Sequence, residues 1–203
     1  MNTQLTTTIL NINTEQISSE RKEVLNSFTD YLQRKLDKKE HININFICTH
    51  NSRRSHLGQI WMQTLASYFN MNTITCYSGG TEATAMAKPI VKTLEKQGFE
   101  INSISEGNNP VYAIKFDDNS HPVICFSKEF SHSFNPKSNF IAVMTCSQAD
   151  EGCPFVSGCE KRFSIMYEDP KLFDNSPLQE EKYLERSNQI ATEIYYVLNQ
   201  LKS

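Results

Sequence analysis

The stretch from His41 to Phe69 constrains this chain more than any other. Ile42, Ile44, Phe46 and Ile47 make a short apolar run with the character of a buried strand. A polar loop follows, Cys48-Thr49-His50-Asn51-Ser52-Arg53-Arg54-Ser55. Leu57, Ile60, Trp61, Thr64, Leu65 and Tyr68 then recur at helical spacing. The expected order is strand, tight loop, helix, with a cysteine where the strand ends and an arginine where the helix begins.

That order has a chemical consequence. A loop curling over a helix N-terminus turns several backbone N–H groups toward one point, where the helix dipole adds to them. The amides of Thr49 to Arg54 are therefore candidates for an oxyanion seat. Arg54 supplies a planar fork that can hold two oxygens of a tetrahedral anion. The same positive field favours the thiolate of Cys48 and marks it as a nucleophile. Ser55 can donate its hydroxyl to that sulfur. The bland alternative is a structural cysteine followed by a basic first turn. Basic residues at a helix N-terminus oppose the dipole, however, and an anion would explain them.

Later segments supply the scaffold. Thr73 to Ser78 reads as a second strand, closed by Gly79-Gly80. Ala83 to Gln97 reads as a helix with Gly98 past its end. Strand and helix alternating in this way argue for a parallel sheet with crossover helices. Phe140 to Thr145 is another strand and delivers Cys146. Residues 151–177 lack periodicity and read as loop, and Leu178 to Leu201 is helical again. Ahead of this, Ser18 or Ser19 can cap an amphipathic helix to about Lys38, with Val24, Leu25, Phe28, Tyr31, Leu32 and Leu36 on one side. Residues 1–16 are expected to be loosely ordered. Val111 to Phe116 and Val123 to Phe126 flank Asp117-Asp118-Asn119-Ser120, a hairpin pattern.

The motif CTHNSRRS after an apolar strand resembles the phosphate-binding loop of the low-molecular-weight protein tyrosine phosphatase superfamily, which includes the thioredoxin-coupled arsenate reductases. Cys48, Asn51, Arg54 and Ser55 match. His50 departs from the family's usual glycine, and Arg53 is an extra charge beside the seat. The resemblance implies an α/β fold with an open parallel four-stranded sheet flanked by helices. On that basis residues 1–40 are an added extension whose helix packs on the domain, residues 41–203 are the phosphatase-like domain, and 109–138 are a hairpin insertion.

A second resemblance lies in CSQADEGCP, which is similar to the Cys-S-x-A-D-x-x-Cys-P of the arsenate reductases. Three thiols in order, Cys48, Cys146 and Cys153, suit a relay. Cys48 attacks the oxyanion, Cys146 attacks Cys48, and Cys153 resolves the resulting disulfide. Thioredoxin is the reductant implied. Superfamily members carry an Asp-Pro acid in a late loop, which makes Asp169 of Tyr167-Glu168-Asp169-Pro170 the candidate proton donor, with Glu168 as the alternative. Lys171 stands where tyrosine phosphatases of this family usually have an aromatic, which weakens a phosphotyrosine assignment. The leading expectation is an arsenate reductase, the runner-up a tyrosine phosphatase, and the third a non-enzymatic anion sensor.

Composition excludes other classes. The chain has 203 residues, a net charge of −3 and charges of both signs mixed throughout, so neither nucleic acid nor a membrane surface is an expected partner. No apolar run is long enough to cross a bilayer, and no secretory signal is evident at the start, so the expected location is cytoplasmic. Six cysteines at this length are not a disulfide framework. Cys76 and Cys125 sit in apolar runs as packed thiols, and Cys159 has no assigned role. The spacings of Cys146, Cys153 and Cys159 are too long for a zinc knuckle, so no metal is expected. Some reductases of this type bind potassium through an acidic residue on the first helix. Here that place holds Gln59, and no cofactor is carried over.

Overall fold

The computed structural model describes residues 1–152 and 155–202. In chain order the elements are α1 (Thr3–Leu10), α2 (Ser19–Asp37), β1 (Ile42–Cys48), α3 (Arg54–Tyr68), β2 (Ile74–Gly80), α4 (Lys88–Lys96), β3 (Glu100–Ser103), β4 (Tyr112–Lys115), β5 (Val123–Cys125), β6 (Phe140–Met144), α5 (Ser147–Gly152), β7 (Cys159–Ser164) and α6 (Gln179–Asn199). Strands β2, β1, β6 and β7 form one parallel sheet in that order. The expected α/β class and four-stranded parallel sheet are thus present. β1 and β6 are central, and β6 is buried at every position. That is why β6, FIAVM, reads as an unbroken apolar run, whereas β1, ININFIC, alternates with asparagine in its first half.

The long helices cover the sheet. Trp61 of α3 is fully buried, meets Phe99 edge-on at 5.1 Å and donates its indole N–H to Ser187 of α6 at 2.9 Å. Leu25, Phe28 and Leu32 of α2 join Ile42 and Ile44 of β1 in the same core. Ser18 caps α2 by accepting from the Arg21 amide. Val24, expected on the inner side of that helix, is exposed instead.

Three expectations change. Residues 1–16 are not loose, because α1 buries Leu5 and Ile9 completely or nearly so. One apolar pair spaced by four is too little pattern to read from sequence. The docking also depends on Gly98, whose φ of +100° ends the α4 turn and whose added Cβ would lie 2.5 Å from the Leu5 nitrogen. Second, α4 starts at Lys88 rather than Ala83, because the intervening residues bond to neighbouring loops: Thr84 N–H to the Ser127 hydroxyl and Ala87 N–H to the Ser52 carbonyl. Third, residues 151–177 are not all loop. Cys159–Ser164 is the fourth strand, an edge strand with little burial and hence no apolar pattern.

The hairpin forms as expected, with Ala113 opposite Ile124, but β3 adds a third strand. This antiparallel sheet lies beside the free edge of β2. Gln59 spans the gap by donating to the carbonyls of Cys76 and Ile124, each at 3.3 Å.

If α1 is an integral part of the core, Leu5→Ala will cost about 2–5 kcal/mol. The check is the urea midpoint, which a detached tail would leave unmoved.

Candidate active site

The loop after β1 is built by where its carbonyls go. Cys48 C=O accepts from Thr81 N–H (3.1 Å), and Thr49 C=O from Glu82 N–H (2.8 Å). His50 C=O accepts the hydroxyls of Ser127 (2.8 Å) and Thr84 (3.2 Å). Ser52 C=O accepts from Ala87 N–H (3.0 Å). In a trans peptide the C=O and the next N–H point in opposite directions. With those carbonyls drawn outward, the amides of Thr49, His50, Asn51 and Arg53 turn to the inside of the loop. No side chain caps the α3 N-terminus, so its dipole is open to the same point.

The loop closes this tightly because of two residues. Asn51 adopts φ +43°, a left-handed conformation that asparagine tolerates better than most. It is fully buried, accepts from the Lys128 amide at 3.0 Å and donates to Ser55 Oγ at 2.8 Å. Gly80, at the end of β2, lies so close that an added Cβ would sit 2.6 Å from Thr49 O and 2.7 Å from Asn51 N.

Cys48 lies beneath the loop, almost fully buried, with its sulfur 3.0 Å from Ser55 Oγ. Since Asn51 donates to that oxygen, the hydroxyl hydrogen of Ser55 is free to point at the sulfur. Arg54 is buried and bonds the Tyr167 carbonyl (2.9 Å) and Asp169 Oδ2 (2.5 Å). Its Nε is buried with no hydrogen-bond partner, a charged donor left over for a ligand. The other oxygen of Asp169 caps the short turn that follows it by accepting from Lys171 N–H at 3.0 Å. Glu168, the alternative acid, is largely exposed and pairs with Arg186 instead.

The strand order puts Cys146 next to this site. β1 and β6 are paired with Ile47 opposite Met144, and Thr145 bonds Ile47 O through both its amide (2.8 Å) and its hydroxyl (2.9 Å). Cys146 is buried with its sulfur 3.5 Å from Thr49 Oγ1, and it shares an apolar cluster with Cys48. It lines a cleft of about 790 Å³ together with His50, Arg54, Gln148, Asp169 and Leu172. Cys153 lies outside the described residues. Arg53, expected among the oxyanion ligands, sends its guanidinium to Tyr183 and Asp174. Only its amide remains for the seat. Among the described residues, no cluster of metal-ligating side chains occurs. Sequence reasoning missed Gly80, Ser127 and Lys128, which touch the loop from distant segments with no local motif.

His56, one turn into α3, is fully buried. Ser78 gives its hydroxyl hydrogen to Gln59 Oε1 (2.6 Å), so the imidazole Nδ1, 3.2 Å from Ser78 Oγ, carries the ring proton. Nε2 has no partner. Burial, and then the charge of Lys128, push this histidine down to about 3.

No protein-family model and no curated protein matches the sequence. Solved structures do match the fold. A low-molecular-weight protein tyrosine phosphatase from T. tengcongensis aligns over 79% of this chain and 99% of its own, with 16% identity and a TM-score of 0.53. The arginine phosphatase YwlE aligns over 78% and 95%, with 14% identity and a TM-score of 0.52. An arsenate reductase in its phosphate-binding state covers 79% and 99% at 15% identity, but its TM-score of 0.48 is too low to favour one activity over the other. The chain has the fold of the low-molecular-weight tyrosine phosphatases.

Two outcomes test this geometry. Gly80→Ala should abolish binding of phosphate or arsenate, measured by calorimetry, because backbone and not a mobile side chain would meet the new methyl. For His56, the unfolded chain takes up a proton below about pH 6.5 while the folded chain does not until about pH 3. Stability therefore falls as pH drops through that window, by up to about 1.4 kcal/mol per pH unit from this group. Urea titrations at pH 7 and 4.5 should show a smaller loss for His56→Gln than for the wild type.

Proposed function

We propose that this protein is an arsenate reductase that works through Cys48, Cys146 and Cys153. One observation carries this choice over simple ester cleavage: a second thiol, Cys146, lies in the site cleft with its sulfur 3.5 Å from the hydroxyl of the residue after Cys48. A phosphatase needs only the first.

The chemistry follows from the positions. Inward amides and Arg54 hold three oxygens of the oxyanion, while Cys48 attacks the central atom from below. Asp169 gives a proton to the departing oxygen, which leaves as water when the substrate is arsenate. Cys146 then attacks the Cys48 sulfur. The S–As bond breaks and its electron pair stays on arsenic, giving arsenite and a Cys48–Cys146 disulfide. Cys153 attacks Cys146, releases the Cys48 thiolate and leaves Cys146–Cys153 for an external dithiol such as thioredoxin to reduce. α5 begins directly after Cys146, so unwinding this one short helix would give the resolving thiol its reach.

The second reading is a phosphomonoester phosphatase. The cleft of about 790 Å³, far larger than a free oxyanion needs, favours it, as do Leu172 and Met166 on its wall. In that case water, rather than Cys146, attacks the intermediate on Cys48.

Turnover of arsenate with thioredoxin, and hydrolysis of aryl phosphates, separate the two. For a reductase, Cys146→Ser and Cys153→Ser each abolish arsenate turnover and leave ester hydrolysis intact. Arsenate turnover that is absent from the wild type, or indifferent to both changes, assigns the protein to the phosphatases.

A further inference from the structure

Arg53 is the residue of the anion loop whose side chain the chemistry above does not use. Its place beside Arg54 is unfavourable by the helix dipole alone, so its partners are informative. Arg53 Nε donates to the Tyr183 hydroxyl at 2.6 Å, and Nη2 pairs with Asp174 Oδ2 at 3.0 Å. The Tyr183 hydroxyl in turn donates to Asp174 Oδ1 at 2.6 Å. The three groups close a ring of hydrogen bonds in which both carboxylate oxygens are used. Tyr183, on α6, is fully buried.

Asp174 is the residue that ends the short turn Pro170–Phe173, and Asp169 is the residue that starts it. The two arginines of the anion loop therefore hold the two ends of the same segment. Arg54 takes Tyr167 O and Asp169, and Arg53 takes Asp174. When an oxyanion occupies the seat, Arg54 has to divide its donors between the ligand and Asp169. The Arg53 ring shares no acceptor with Arg54.

We propose that Arg53, Asp174 and Tyr183 form a latch that keeps the Asp169 segment in place over the seat while Arg54 turns to the substrate. They are positioning residues that act through Asp169 and touch no reacting atom. The latch deepens the functional assignment above, because it rests on Cys48 as nucleophile and Asp169 as acid, which both activities share. The step it serves is proton delivery. As the Cys48 sulfur bonds to the central atom and the bond to the departing oxygen breaks, that oxygen takes its electron pair and the Asp169 proton. A latch should matter in proportion to how badly the departing oxygen needs the proton.

Phenyl phosphate, with a poor leaving group, and 2,4-dinitrophenyl phosphate, with a good one, provide the test. Asp169→Asn should slow the first ester about 100-fold or more and the second far less. Asp174→Asn and Tyr183→Phe should copy that pattern in weaker form, about 10-fold on phenyl phosphate and under about 2-fold on the dinitrophenyl ester. Equal losses on both esters, or none on either, overturn the latch. If Asp169→Asn itself fails to distinguish the esters, the acid assignment is wrong; if the wild type cleaves neither, the esters bear on neither residue. The latch is then judged by a measurement without turnover. Lys171 is exposed on the held segment, and trypsin should cut there several-fold faster in Asp174→Asn at unchanged thermal midpoint. An unchanged rate at Lys171 removes the latch whatever the esters show.

Discussion

Everything in the site depends on four outward carbonyls. A loop that curls in one direction would ordinarily satisfy its own backbone. Here Thr81, Glu82, Thr84, Ala87 and Ser127 take the carbonyls of residues 48, 49, 50 and 52, and the amides are forced the other way. The concentration of positive potential at the seat is a result of peptide geometry, with the helix dipole and Arg54 added to it. The Cys48 sulfur lies beneath this turn, 3.0 Å from the Ser55 hydroxyl.

Most of the donors for those carbonyls come from the segment between β2 and α4, and the approach is possible because Gly80 has no side chain to keep the two segments apart. The sheet contributes in a second way. Parallel pairing of β1 with β6 sets two strand ends side by side, so that two cysteines nearly a hundred residues apart in sequence meet at one edge. Strand order is thus the link between the primary sequence and the redox proposal. Were β6 not paired with β1, Cys146 would be carried away from the cleft.

Legibility in the sequence followed burial and locality. β1, β6 and α3 could be read because burial leaves continuous or periodic apolar patterns. β7 could not, since an edge strand such as CEKRFS carries charges on its exposed side and looks like a loop. α1 escaped for a related reason, having only Leu5 and Ile9 to show. Within the candidate site, Cys48, Asn51, Arg54 and Ser55 were visible together because they lie within eight residues. Asp169 and Cys146 were visible through short local motifs. Ser127 and Lys128 were not, for they bond to the loop through one hydroxyl and one backbone amide, and neither leaves a trace in local composition. The direction of the Arg53 side chain was equally hidden, because it is decided by Asp174 and Tyr183, more than a hundred positions away.

The antiparallel sheet formed by β3, β4 and β5 reaches the loop after β1 through one side chain. Ser127 lies just beyond β5, and its hydroxyl donates to the carbonyl of His50 at 2.8 Å. Asn109, in the connection between β3 and β4, clasps Ser127: its side-chain amide donates to the Ser127 carbonyl at 2.7 Å and its side-chain oxygen accepts from the Ser127 N–H at 3.0 Å. A small sheet beside the main one is therefore wired into the innermost turn. Because the group that Ser127 holds is a backbone carbonyl, this anchor on the loop is independent of which side chain position 50 carries.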